Sequence, residues 1–126
     1  MKAAFLEHAN ITVADPDELA SLLCSIFNWQ VRWRGKAKND GYTVHVGNES
    51  SYLALYKPTS FSVVAGDYQT KAFVNHIGIV VQHLDDIEKK VLEMNLHTFN
   101  HGDYEPGKRF YFMAQEHIEV EVVSYN

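Results

Sequence analysis

Apolar and polar residues alternate through FLEHANITV (residues 5–13). Phe5, Ala9, Ile11 and Val13 share one side, with Glu7 as the exception, and Leu6, His8, Asn10 and Thr12 share the other. That period of two predicts a strand with one apolar and one polar-tinged face. The period then changes. In ADPDELASLLCSIFNW, Leu19, Leu22, Leu23, Ile26 and Phe27 recur at helical spacing and form a buried stripe. Asp15 is placed to cap this helix, Pro16 suits its first turn, Asp17 and Glu18 favour its positive end, and Asn28 closes it. Three short strands are expected next: QVRWRGK (30–36), YTVHVG (42–47) and SYLALYK (51–57). Asn39-Asp40-Gly41 and Gly47-Asn48-Glu49-Ser50 supply the turns between them.

Residues 59–72 show no clear period and read as a connector, after which the order repeats. FVNHIGIVV (73–81) predicts a strand and DDIEKKVLEMN (85–95) a helix, with Leu84, Ile87, Val91 and Leu92 as its apolar stripe. HTFNHGDYEPGK (97–108) holds a further strand and a loop marked by Gly and Pro. RFYFMA (109–114) and HIEVEVVSY (117–125) are strands. Placing His8 on His76 fixes an offset of 68 (76 − 8). That register matches Ile11 with Ile79, Val13 with Val81, Asp17 with Asp85 and Leu19 with Ile87. The expected fold class is therefore α+β: one domain over 1–126, made of βαβββ modules 1–58 and 73–126 joined by 59–72.

Composition narrows the function. A 46% hydrophobic and 13% aromatic content suffices for a packed interior. The net charge is −5, and the 11 Lys and Arg are scattered except for Arg32, Arg34, Lys36 and Lys38. Nucleic acid is excluded as a partner on this ground, since phosphate binding needs a concentrated basic face. The single cysteine, Cys24, has no internal disulfide partner and falls among apolar helix residues, so it reads as core. Nothing at the N-terminus reads as a signal peptide, and no apolar run approaches the ~20 residues that span a bilayer. A cytoplasmic protein with no membrane partner is expected.

Paired βαβββ modules, each with a histidine early in its first strand, resemble the vicinal oxygen chelate superfamily of glyoxalases, bleomycin-resistance proteins and extradiol dioxygenases. FLEHANITVADPDELASLLCSIFNW, SSYLALYK, NHIGIVVQHLDDIEKKV and RFYFMAQEHIEVEVVSY carry the likeness. The resemblance implies a glyoxalase-like fold, with strands curled around a shared cavity and a divalent metal held by inward residues of each module's first and last strands. Carried over, those positions fall on His8, His76 and Glu121. The fourth falls on Ala54, which ligates nothing and so departs from the four-ligand glyoxalase pattern. Two imidazoles and one carboxylate are the facial triad of non-haem Fe(II) oxygenases, and they also suit Zn, Mn or Ni acting as a Lewis acid. The run from Tyr111 to Glu121 keeps the spacing of the extradiol signature, but Gln115 and His117 stand where that signature has proline and glycine.

Each residue singled out also has a plainer reading. His8 and His76 could be half-buried strand histidines bonded to a neighbour. Glu119 shares a face with Glu121 and rivals it as ligand, although the resemblance's spacing to the chain's end favours Glu121. Tyr52 and Tyr56 share Ala54's face, so they either line the cup and bind substrate or pack as aromatic core. Arg32, with Trp33 and Arg34, either greets an anionic or aromatic ligand or forms a solvated face. Tyr111, His45 and Glu119 are candidates for proton transfer, as is His101, against packing or surface roles. The leading expectation is a metal-dependent enzyme of glyoxalase or dioxygenase type, a homodimer whose small substrate is chelated through adjacent oxygens. The alternative is a metal-free, bleomycin-resistance-like protein that binds a small molecule in its cleft.

Overall fold

The computed structural model describes residues 2–62 and 66–126; residues 63–65, in the expected connector, lie outside the described residues. The chain divides into two compact units, Met1–Val63 and Val64–Asn126. Each contains one helix and a four-stranded mixed sheet, an α+β architecture.

Unit 1 runs β1 (His8–Thr12), α1 (Pro16–Phe27), β2 (Gln30–Lys36), β3 (Tyr42–Gly47) and β4 (Tyr52–Lys57). Its sheet order is β1-β4-β3-β2, with β1 parallel to β4 and the other pairs antiparallel. The helix begins as its sequence requires. The Asp15 carboxylate accepts the Glu18 backbone N–H at 3.0 Å, satisfying one of the donors that every helix N-terminus leaves open. At the other end Asn28 enters the left-handed region (φ 58) and its N–H reaches the Cys24 carbonyl. Leu19, Leu23 and Ile26 bury fully, together with Val44, Val46 and Leu55. Removing such apolar side chains from water is the main favourable term in forming this layer. Between β3 and β4 the chain reverses on Gly47, where a Cβ would strike the Ser51 carbonyl, and the Asn48 side chain accepts the N–H groups of Ser50 and Ser51.

Unit 2 runs β5 (Ile77–Val80), α2 (Leu84–Glu93), β6 (Thr98–Tyr104), β7 (Gly107–Gln115) and β8 (Ile118–Ser124), in sheet order β5-β8-β7-β6. Val91 of α2 packs fully buried with Phe110, Phe112, Val120 and Val122. Three details differ from the sequence expectation. The strand expected over 73–81 is ordered as strand only at Ile77–Val80. Leu92, expected in the helix stripe, is 52% exposed. His101, offered as an acid or base near the metal, is instead turned toward α2. A bulge between Phe99 and Gly102, with Asn100 at φ 52, shifts the strand's alternation, and His101 Nε2 meets Glu88 Oε2 at 2.5 Å.

Glu88 also accepts the Thr98 hydroxyl at 2.6 Å, so one carboxylate ties α2 to β6. Partial burial pushes its carboxyl up, but the Thr98 and His101 contacts outweigh this and hold it below its ordinary value. A carboxyl depressed in the folded state stabilises the fold above its unfolded pKa. That contribution is lost as pH falls through the folded value. Glu88→Gln is therefore expected to flatten the loss of stability below about pH 4.5, read as denaturant midpoints at a series of pH values. Parallel wild-type and variant curves would contradict this role.

Candidate functional site

On the sheet face of unit 2 opposite its buried aromatic layer, the strand register aligns Gly78, Glu121, Tyr111 and Phe99 in one row across β5, β8, β7 and β6. His76 lies two residues before Gly78, at the foot of β5. Its Nε2 stands 3.0 Å from Glu121 Oε1. The other carboxylate oxygen, Oε2, accepts Arg109 Nη1 at 3.0 Å. Both side chains are about nine-tenths buried, at 10% and 12% exposure, so pairing is what makes burial of either charge tolerable. Arg109 also donates to the Gly107 carbonyl and lies 4.6 Å from the Tyr104 ring. Its buried Nε has no partner among the described residues.

His76 is held from behind as well. Its Nδ1 lies 2.6 Å from the Asn75 side-chain oxygen, and the Tyr68 hydroxyl is 3.3 Å away. The Tyr68 hydroxyl donates to Glu119 Oε2. Its ring lies near-parallel to the imidazole, 19° between planes at 6.0 Å, while the Tyr111 ring meets His76 edge-on at 5.7 Å. Partial burial and then the Glu119 contact raise the Tyr68 hydroxyl above the usual phenol range. Burial, followed by the charge and hydrogen bonding of Glu121, also raises Tyr111. Beside this group, a Cβ built on Gly78 would meet nothing within 4 Å, so the row has open space at its β5 end.

His76 Nε2 and Glu121 Oε1 fit together in more than one way. As the Nε2–H tautomer the imidazole donates directly to the carboxylate. As the Nδ1–H tautomer, donating to the Asn75 oxygen, it turns the Nε2 lone pair toward Glu121, and a cation fits between them, since donors bound at about 2.0–2.2 Å and roughly a right angle stand about 3 Å apart. Arg109 on the carboxylate and Asn75 on the imidazole are the outer contacts that orient metal ligands. The residues present therefore fit a divalent ion through His76 and Glu121. Among the described residues no three His, Cys, Asp or Glu side chains gather closely enough to hold one.

Unit 1 places a different chemistry on the equivalent row. Asn10, Ala54, His45 and Trp33 align across β1, β4, β3 and β2, so Ala54 occupies the place that Glu121 takes in unit 2. Four rings form a ladder over all four strands: Trp33 to His45 at 5.3 Å, His45 to Tyr52 at 4.7 Å, and Tyr52 to His8 at 4.8 Å. The Arg32 guanidinium lies 4.4 Å from the Tyr52 ring and donates to the Asn48 carbonyl. His8 Nδ1 lies 2.8 Å from the Glu7 carboxylate. Burial, then the positive charges of His8 and Arg32, lower His45 below its ordinary value. Tyr56, four residues along β4 from Tyr52, donates to the Lys38 carbonyl at 2.7 Å. Arg34, grouped with Arg32 by sequence, pairs instead with Asp17 of α1, which also accepts the Tyr42 hydroxyl. Cys24 is partly buried, and that burial raises its thiol.

Three contributors escaped the sequence reading. Tyr68 lies in the connector, a stretch without period, and Asn75 in the part of the expected 73–81 strand that precedes β5. Arg109 was legible only as a strand residue, although its two-residue spacing from Tyr111 put it on the same face.

No family model and no curated protein matches the chain. Solved structures do. A glyoxylase/bleomycin resistance protein/dioxygenase domain from Frankia sp. EAN1pec has 17% identity and a TM-score of 0.82, over 98% of each chain. A glyoxalase family protein from Enterococcus faecalis gives 12% and 0.78, over 94% of this chain and 96% of that one. A fosfomycin resistance protein, FosX, from Listeria monocytogenes, in a variant form complexed with Mn(II) and dihydroxypropylphosphonic acid, gives 16% and 0.71, over 97% and 93%. The chain thus has the glyoxalase-like fold of these proteins. Among the described residues no helix is long and apolar enough to cross a membrane.

Removing Arg109 would leave the Glu121 charge buried with His76 alone. Arg109→Met is expected to cost about 3 kcal/mol of stability, against about 0–1 kcal/mol for the exposed Arg34→Ala. Equal, small losses in denaturant titrations would show that Arg109 does not hold Glu121.

Proposed function

We propose that this chain is a metal-dependent enzyme acting on a small substrate that presents two adjacent oxygens. His76 Nε2 and Glu121 Oε1 are two of its ligands, and the family resemblance offers His8, the equivalent histidine of unit 1, as a further one. The observation that carries the reading is the 3.0 Å approach of His76 Nε2 to Glu121 Oε1, with each side chain oriented by its own outer partner. Fe, Zn, Mn or Ni bound there would supply Lewis acidity to the chelating oxygens or, as Fe, a route to O₂ chemistry. The Listeria protein in complex with Mn(II) supports an ion of this class.

The chain's own residues supply orientation and proton handling. Arg109 fixes which carboxylate oxygen of Glu121 is free. Asn75 holds the imidazole from its Nδ1 side. Tyr111, its hydroxyl raised by burial and by Glu121, stays protonated and donates a hydrogen bond to a substrate oxygen. His45, lowered by burial and by neighbouring positive charge, stays neutral and able to accept a proton. Glu119, whose Oε2 accepts the Tyr68 hydroxyl, is a second acceptor through its other carboxylate oxygen. Arg32 and Tyr52 form the binding platform for an anionic or planar group, and Tyr56 borders it. A cytoplasmic homodimer is the form in which we expect it to work.

One observation favours a second reading, a metal-free binding protein. The ladder from Trp33 to His8, with Arg32 against Tyr52, is a surface for a planar or anionic small molecule that needs no ion.

Metal analysis of protein purified without chelator separates the two. The wild type is expected to carry stoichiometric Fe, Zn, Mn or Ni, and His76→Ala to lose it. No metal in either, with no thermal shift on adding any of the four ions, would sink the enzyme reading.

A further inference from the structure

We propose that Tyr68 is a positioning residue of the His76–Glu121 site, whose hydroxyl captures Glu119 and keeps that second carboxylate off the cation. The inference rests on the metal reading above and adds to it the reason why one carboxylate, rather than two, faces the ion. Glu119 and Glu121 lie two residues apart on the same face of β8, opposite Met113 and Tyr111. That spacing, about 7 Å between their Cα atoms, is within reach of two flexible carboxylates converging on one ion. In the structure they are separated by what holds them. Glu121 is engaged by Arg109 and His76, and Glu119 by Tyr68.

Tyr68 is mounted for this task. The Asp67 carboxylate accepts the backbone N–H groups of Gln69 and Thr70, both at 2.9 Å, and the Thr70 hydroxyl at 2.9 Å. These bonds fix the turn that carries the tyrosine. Its ring lies near-parallel to the His76 imidazole, and its hydroxyl reaches both Glu119 and the rear nitrogen of His76. The residue is 62% exposed, so apolar burial does not explain its placement; the polar contacts of its tip do. A second carboxylate would add a hard oxygen ligand and a negative charge. That change favours Mn over Zn and raises the coordination number.

Co(II) serves as the spectroscopic probe in wild type, Tyr68→Phe, Glu119→Gln and the double variant. Tyr68→Phe is expected to alter the Co(II) visible absorption and to shift the Mn-to-Zn affinity ratio about tenfold toward Mn. Both effects should vanish in the Glu119→Gln background. In the metal-free protein, the melting-temperature losses of the two single variants should not add in the double variant, because they break one hydrogen bond. Co(II) bound with an unchanged spectrum in Tyr68→Phe, or a change that persists without Glu119, overturns the role of Tyr68 and leaves the metal reading intact. A wild type that takes up no Co(II) overturns both.

Discussion

The Arg109–Glu121 ion pair is the constraint on which the polar face of unit 2 depends. A carboxylate at 12% exposure forgoes most of its hydration, and the guanidinium restores a charged partner at 3.0 Å. Because Arg109 takes Oε2, the remaining oxygen is presented to one side only, where His76 stands. Asn75 and Tyr68 then act on His76 and Glu119, so six polar side chains are linked through short contacts. Such a network is costly to leave incomplete.

Two units with the same element order carry unlike chemistry because corresponding rows hold unlike residues. Asn10, Ala54, His45 and Trp33 in unit 1 answer to Gly78, Glu121, Tyr111 and Phe99 in unit 2. Unit 1 presents stacked rings and a guanidinium; unit 2 presents carboxylates, an imidazole and open space at Gly78. The fold repeats, and function resides in what was not repeated.

Much of this was legible from sequence where a local rule decides structure. Asp15, Pro16 and Asn28 bound α1 as their capping chemistry demands, and the family resemblance pointed to Ala54 as the empty counterpart of Glu121, where the strand registers place it. Edges and bulges were less legible. β6 carries little apolar alternation, so its bulge and the turning of His101 onto Glu88 had no local signal. His117, standing where the dioxygenase signature has glycine, adopts φ 64, a conformation glycine takes at lower cost. Tyr68 lay in a stretch with no period at all, and only its hydroxyl contacts reveal it.

The central claim is that His76 and Glu121 face a common cation rather than each other. Anomalous diffraction from crystals soaked with Mn(II) or Zn(II) addresses it directly. The prediction is a peak about 2.0–2.2 Å from both His76 Nε2 and Glu121 Oε1, with Arg109 still on Oε2. Fully occupied side chains left 3.0 Å apart, with no peak between them at saturating ion, would contradict it and leave a direct ion pair as the whole of the contact.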